Sequence, residues 1–155
     1  MVNRTLERNY LIGTKNISSQ TVLEGGLINL GSVYRAYDDT DRCGIRTFNA
    51  SGTNVTLNWT GVYKVTVTAV AAGTEAGVVT IQLLANGQPI TGEFSSETIT
   101  TPETELRTFT IDTFVLVDNT RVLNVASTLA QSLSLQNTGV GATFSKVELN
   151  VVKVL

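Results

Sequence analysis

The chain has no histidine and a single cysteine, Cys43, among its 155 residues. A serine or cysteine nucleophile works with a positioned base, most often histidine, so the usual hydrolytic constellations are excluded. One cysteine makes no disulfide within the chain, and Cys43 reads as a small hydrophobe, buried or semi-buried. Charged residues are only 15% of the chain and leave a net charge of -2, with a sequence pI of about 5.1. No cluster of Lys and Arg exists to neutralise phosphates, which argues against a nucleic-acid partner. No stretch approaches the ~20 apolar residues of a membrane span, so no membrane partner is expected. Residues 1–8 lack the apolar core of a signal peptide. The sequons at Asn3, Asn16, Asn49, Asn54 and Asn58 therefore read as by-products of a composition rich in Asn, Ser and Thr.

What the chain does have is alternation. From Val62, the side chains of Tyr63, Val65, Val67 and Ala69 share one face of an extended segment, and Lys64, Thr66 and Thr68 share the other. From Gly77, Val79, Ile81 and Leu83 point one way and Thr80 and Gln82 the other. Period-two patterning with one apolar face predicts half-buried antiparallel strands. Asn86-Gly87 predicts a tight hairpin, because both residues tolerate positive φ. Pro89 then has the next strand start at an edge or irregularly.

Leu106 to Val117 predicts the longest strand, with Phe109, Ile111, Val115 and Val117 on one parity and Phe114 and Leu116 on the other. Apolar residues on both parities imply burial on both faces or a bulge near Asp112-Thr113. Short strands are expected over 20–30, broken at Gly25-Gly26, over 45–48 and 54–59, split by Ser51-Gly52, and over 122–127 and 132–135. Residues 34–44 read as an acidic loop and 137–141 as a Gly-rich turn. The last strand, from Ala142, should be central to its sheet, since a long apolar edge invites aggregation. The class is all-β, an antiparallel β-sandwich of 20–155 preceded by a polar N-terminal arm of 1–19.

Few residues are left for chemistry. Asp38, Asp39, Asp41, Glu93, Glu97, Glu103 and Glu105 are the carboxylates that a glycosidase pair would draw on. They fall in loops or weak strands, where solvation is the ordinary role, so no enzyme is expected. Asp38, Asp39 and Asp41 are weak candidates for a Ca2+ site, without the spacing of a dedicated loop. Capping of a turn is the simpler role, and neither a metal nor a cofactor is expected. Trp59, with Tyr63, offers a possible stacking platform for a sugar or other ligand. In the arm, Arg4, Arg8 and Tyr10 are candidate anchoring residues toward an acidic partner.

The order of these features resembles the jelly roll of the tumour necrosis factor and complement globular-head superfamily. The residues that carry the resemblance are Gly61-Val62-Tyr63 opening a long strand and Val79-Thr80-Ile81-Gln82-Leu83 before the Asn86-Gly87 turn. Phe114-Val115-Leu116-Val117, Arg121-Val122-Leu123 after a polar turn, and the final Ala142-Thr143-Phe144-Ser145 complete it. The resemblance spans roughly residues 54–155. It implies a homotrimer, with Tyr63 and Val65 in the core and Lys64, Thr66, Thr108 and Thr110 facing the three-fold axis.

Proteins of this build without a signal peptide look like virion components of tailed phages. The expected function is a non-catalytic, trimeric structural protein such as a capsid decoration, head fibre or fibre knob. Such a protein is made in the host bacterial cytoplasm and held to capsid or other virion proteins by its arm. The alternative is a receptor- or carbohydrate-binding module that reads a host-surface glycan or protein.

Overall fold

The structure, a computed structural model, describes residues 10–37, 47–117 and 131–155. Among them are eleven strands: β1 (Leu11–Asn16), β2 (Gln20–Val22), β3 (Ser32–Tyr37), β4 (Phe48–Ser51), β5 (Asn54–Leu57), β6 (Gly61–Gly73), β7 (Gly77–Ala85), β8 (Gln88–Ile99), β9 (Leu106–Val117), β10 (Gln131–Asn137) and β11 (Ala142–Lys153). Sheet A runs β3-β1-β11-β6-β9, with β2 paired to the start of β11, and sheet B runs β4-β5-β10-β7-β8. All pairings are antiparallel. The chain crosses from sheet to sheet at β5-β6-β7 and again at β8-β9-β10-β11, so both layers are woven from one path, as in a jelly roll.

The inner faces follow the alternation read from the sequence. Tyr63, Val65, Val67 and Ala69 of β6 meet Val79, Ile81 and Leu83 of β7, and all are fully buried. Phe109, Ile111, Val115 and Val117 of β9 and Val147, Leu149 and Val151 of β11 complete the core from sheet A. Each fully buried side chain of this size contributes about 1.5–3 kcal/mol. Asn86 and Gly87 take φ of 52° and 76° and close the β7-β8 hairpin as expected. β8, which holds Pro89, is an edge strand. β11 is central, with β1 and β2 on one side and β6 on the other.

Three expectations change. Leu11–Asn16, placed in the arm, is β1 and lies between β3 and β11, so the sandwich begins well before residue 20. Its inward Ile12 is buried, whereas the sequence shows only a polar stretch with scattered anchors. Ser32–Tyr37 is β3, a strand in place of the start of the loop expected over 34–44. All six of its residues are exposed, so it carries no apolar face to read. Phe114 and Leu116 are not buried on the second face of β9; they stand 65% and 59% exposed. Among the described residues β9 ends its sheet and nothing layers over its outer side. The register is also continuous through Asp112 and Thr113, so no bulge relieves it.

Candidate functional site

The outward face of sheet A gathers the side chains that the core does not use. Its rungs run across the sheet. Leu11, Val152, Lys64 and Phe114 lie on one; Gly13, Asn150, Thr66 and Asp112 on the next; and Lys15, Glu148, Thr68 and Thr110 on a third. Thr108 lies opposite Val70 one rung further on. The structure therefore brings Lys64, Thr66, Thr108 and Thr110 onto a single face, spread over β6 and β9. Lys64 is not left alone there, since its Nζ stands 4.0 Å from Asp112 Oδ2.

Two parts of this face escaped the sequence reading. The first is the apolar group at its β9 margin: Phe114, Leu116 and, at the far end, Leu106, 62% exposed. The resemblance places Lys64, Thr66, Thr108 and Thr110 on this face; Phe114 stands there as well, directly across from Lys64. Its parity was visible, and the missing signal was that β9 is an edge.

The second is a polar network at the other margin, over β3, β1 and β11. Tyr34 Oη is 2.6 Å from Glu148 Oε1 and 2.9 Å from Asn150 Oδ1. The hydroxyl has one proton, and the shorter contact to the charged oxygen takes it. Arg35 donates to Asn150 Oδ1 through Nη2 at 2.8 Å and Nε at 3.2 Å, and Asn150 Nδ2 donates to Glu148 Oε1 at 3.1 Å. Lys15 and Lys146 stand 3.9 and 3.6 Å from Glu148 Oε2. Lys15 and Arg35 also sit over the Tyr34 ring, 4.6 and 5.1 Å from its centroid.

Gly13 makes the network possible. A Cβ there would lie 2.6 Å from Asn150 Oδ1 and 2.8 Å from Tyr34 Cε1. The Tyr34 hydrogen bond, then that of Asn150, hold the Glu148 carboxyl below the usual range; the lysines add to this. Desolvation, then the bond to Glu148, raise the Tyr34 hydroxyl.

The remaining candidates are scattered. Trp59 is half-buried just before β6, and its carbonyl accepts the Tyr63 hydroxyl at 2.6 Å. Tyr63 itself is fully buried and stacks edge-on against Phe48, so it forms no platform with Trp59. Tyr10 is tied to the sandwich: its ring stacks on Tyr37 at 6.0 Å and its carbonyl accepts the Lys153 amide at 2.8 Å. Arg4, Arg8, Cys43 and the weak metal candidates Asp38, Asp39 and Asp41 lie outside the described residues, as do 122–127. Among the described residues, no three acidic or thiol groups converge on a metal position. Glu93 and Glu97 are on β8, and Glu103 and Glu105 on its connection to β9. Glu105 is engaged there by the amides of Thr100 and Thr101 and by Arg107.

No protein-family model matches the sequence, and no curated protein matches it either. Solved structures do match its fold. Eiger TNF from S. frugiperda superposes with a TM-score of 0.65 at 13% identity, covering 96% of this chain and 94% of that one. The globular domain of zebrafish complement 1qA gives 0.60 at 8% identity, over 94% and 98%. PRD1 vertex protein P5 gives 0.54 at 14% identity, over 94% and 97%. The chain thus has the all-β, two-sheet jelly-roll fold of the tumour necrosis factor and complement globular-head structures.

Proposed function

We propose that this chain is a non-catalytic structural protein that works as a homotrimer, with the outward face of sheet A as its assembly surface. The observation that carries this is the exposure of Phe114 and Leu116, adjacent on one side of an edge strand. Two large apolar side chains side by side on a flat sheet face are a liability to a lone chain and an anchor in an interface. The likeness to tumour necrosis factor and complement head domains supports three-fold assembly. The lack of histidine supports the absence of catalysis.

The setting we propose is a phage virion, as a capsid decoration, head fibre or fibre knob. The likeness to a vertex protein supports it. Residues 1–9 are then the tether to capsid or other virion proteins. Light scattering on a sizing column tests the assembly: a mass three times 16.6 kDa is expected, and a stable monomer refutes it. For the tether, a chain without residues 1–9 should keep that mass and be lost from particles. Retention on particles refutes the tether.

A second reading, recognition of a host-surface glycan or protein, rests on Trp59, a large aromatic left half-exposed with its backbone fixed. Binding to a glycan array that Trp59→Ala abolishes would favour it.

A further inference from the structure

Charge is unevenly placed on this molecule. On the outward face of sheet A, Lys15, Arg35 and Lys146 surround one carboxylate, Glu148, so the Tyr34-centred network is net positive. At the other flank the balance reverses. β8 and its connection to β9 carry Glu93, Glu97, Glu103 and Glu105, against Arg107 alone. Arg107 is spent on Glu105, and Glu93, Glu97 and Glu103 make no ion pair among the described residues. Glu93 and Glu97 share the parity of buried Ile99 and are themselves half-buried.

That flank is also where both sheets stop. β8 ends sheet B, β9 ends sheet A, the two pack together, and each is twelve residues long. Paired long edges invite a covering chain. The cationic network lies toward the β3 margin of sheet A, so flank and network do not meet within one copy. Two copies placed head to tail would bring them together.

We propose that each copy seats its acidic β8-β9 flank on the Tyr34-centred cationic network of the next copy. The contact is heterologous rather than a pairing of two identical patches, and with a three-fold rotation it closes into a ring. This rests on the trimer reading and adds to it which two surfaces meet and that charge selects them. Glu93 and Glu97 find Lys15 and the Nη1 end of Arg35, whose Nε and Nη2 are held by Asn150. Phe114 and Leu116 on the same flank supply the apolar part. Charge complementarity of this kind sets register and speeds encounter, and it weakens as salt rises.

The test is light scattering of the full chain across a salt series, with charge reversals. Glu93→Lys with Glu97→Lys should weaken assembly at least ~10-fold at low salt, with the far-UV spectrum unchanged. Lys15→Glu with Arg35→Glu should do the same, and the four together should restore the trimer. If the second pair does not fold, the Glu93/Glu97 pair still decides. Its trimer should tighten with added salt while that of the natural chain loosens. A trimer unmoved by the reversals and by salt overturns the latch and leaves the trimer reading standing. A natural chain that is monomeric throughout overturns both.

Discussion

The two outer faces of the sandwich are built on the same pleated backbone and show different chemistry. On sheet B the outward side chains of β7, β8 and β10 are mostly small and polar, as with Thr80 and Ser96, whose hydroxyls stand 2.7 Å apart, and Ser132 and Gln136. Phe94 and Val78 are its large exposed apolar exceptions on these strands, on different strands and several rungs apart, while Leu84 and Ser134, paired on the same parity, are buried. On sheet A the apolar residues stand together at one margin and a six-residue charged and aromatic network fills the other. Small hydroxyl side chains serve a face that water covers, because each satisfies itself locally. Large apolar residues grouped on one sheet face, with a charged network on its other margin, fit the assembly surface we propose.

The strongest way to break this contrast is to place charge on both faces. Phe114→Asp with Leu116→Asp should reduce the trimer mass to that of a monomer, with affinity down by ~100-fold or more, since anchors of this kind dominate interfaces. Phe94→Asp on sheet B should leave the mass unchanged. Equal sensitivity of the two faces would remove the distinction.

Gly13 sharpens the contrast without touching the apolar margin. Gly13→Ala drives a methyl into Asn150 and Tyr34 and should cost about 1–3 kcal/mol through overpacking, seen in a denaturant midpoint. Gly92, on β8, has φ of +83° and no atom within 4 Å of a Cβ. There Gly92→Ala meets only backbone strain, about 1–2 kcal/mol. The substitutions differ in kind. A second change that shortens Tyr34 should relieve the first, and nothing on sheet B should relieve the second.

Acid offers a smaller lever. Glu105 is held at about 2 against an ordinary 4.5, by the amides of Thr101 and Thr100 ahead of Arg107. Glu148 is also depressed, by Tyr34 and Asn150 first. A depressed carboxyl adds stability that is present above its ordinary value and lost as pH falls through its folded one. Melting temperature should therefore drop between pH 4.5 and about 2, and Glu105→Gln should flatten that limb. Glu148→Gln should flatten it too, and more so in the monomeric Phe114/Leu116 variant, where no neighbour covers the network. Both carboxyls lie at the surface with their side chains 20% and 19% exposed, so water screens them in part and the effect is a slope rather than a collapse.

The inner architecture was legible because period-two patterning states which side chains are buried and needs no knowledge of neighbours. Tyr63, Val65, Val79 and Phe109 all landed where their parity put them. The outer faces were less legible, because parity does not say whether a second layer exists. Phe114 and Leu116 look the same in sequence whether a sheet packs over them or solvent does. The network was illegible for a different reason. Tyr34 and Arg35 meet Glu148 and Asn150 across more than a hundred positions, through an edge strand with no apolar face and over a glycine whose use appears only in three dimensions. The boundary at residue 19 failed because β1 is stabilised by its two neighbours rather than by its own composition.

The smallest expected effect tests the quiet side of the contrast. Thr80 and Ser96 face each other across β7 and β8, and their hydroxyl contact is exposed. An exposed hydroxyl pair exchanges one hydrogen bond for water at little net gain. Thr80→Val with Ser96→Ala should shift stability by no more than about 0.5 kcal/mol and leave the oligomer mass as it was. If the pair instead dissociated the trimer, sheet B would be the assembly face, and the apolar margin of β9 would need another partner.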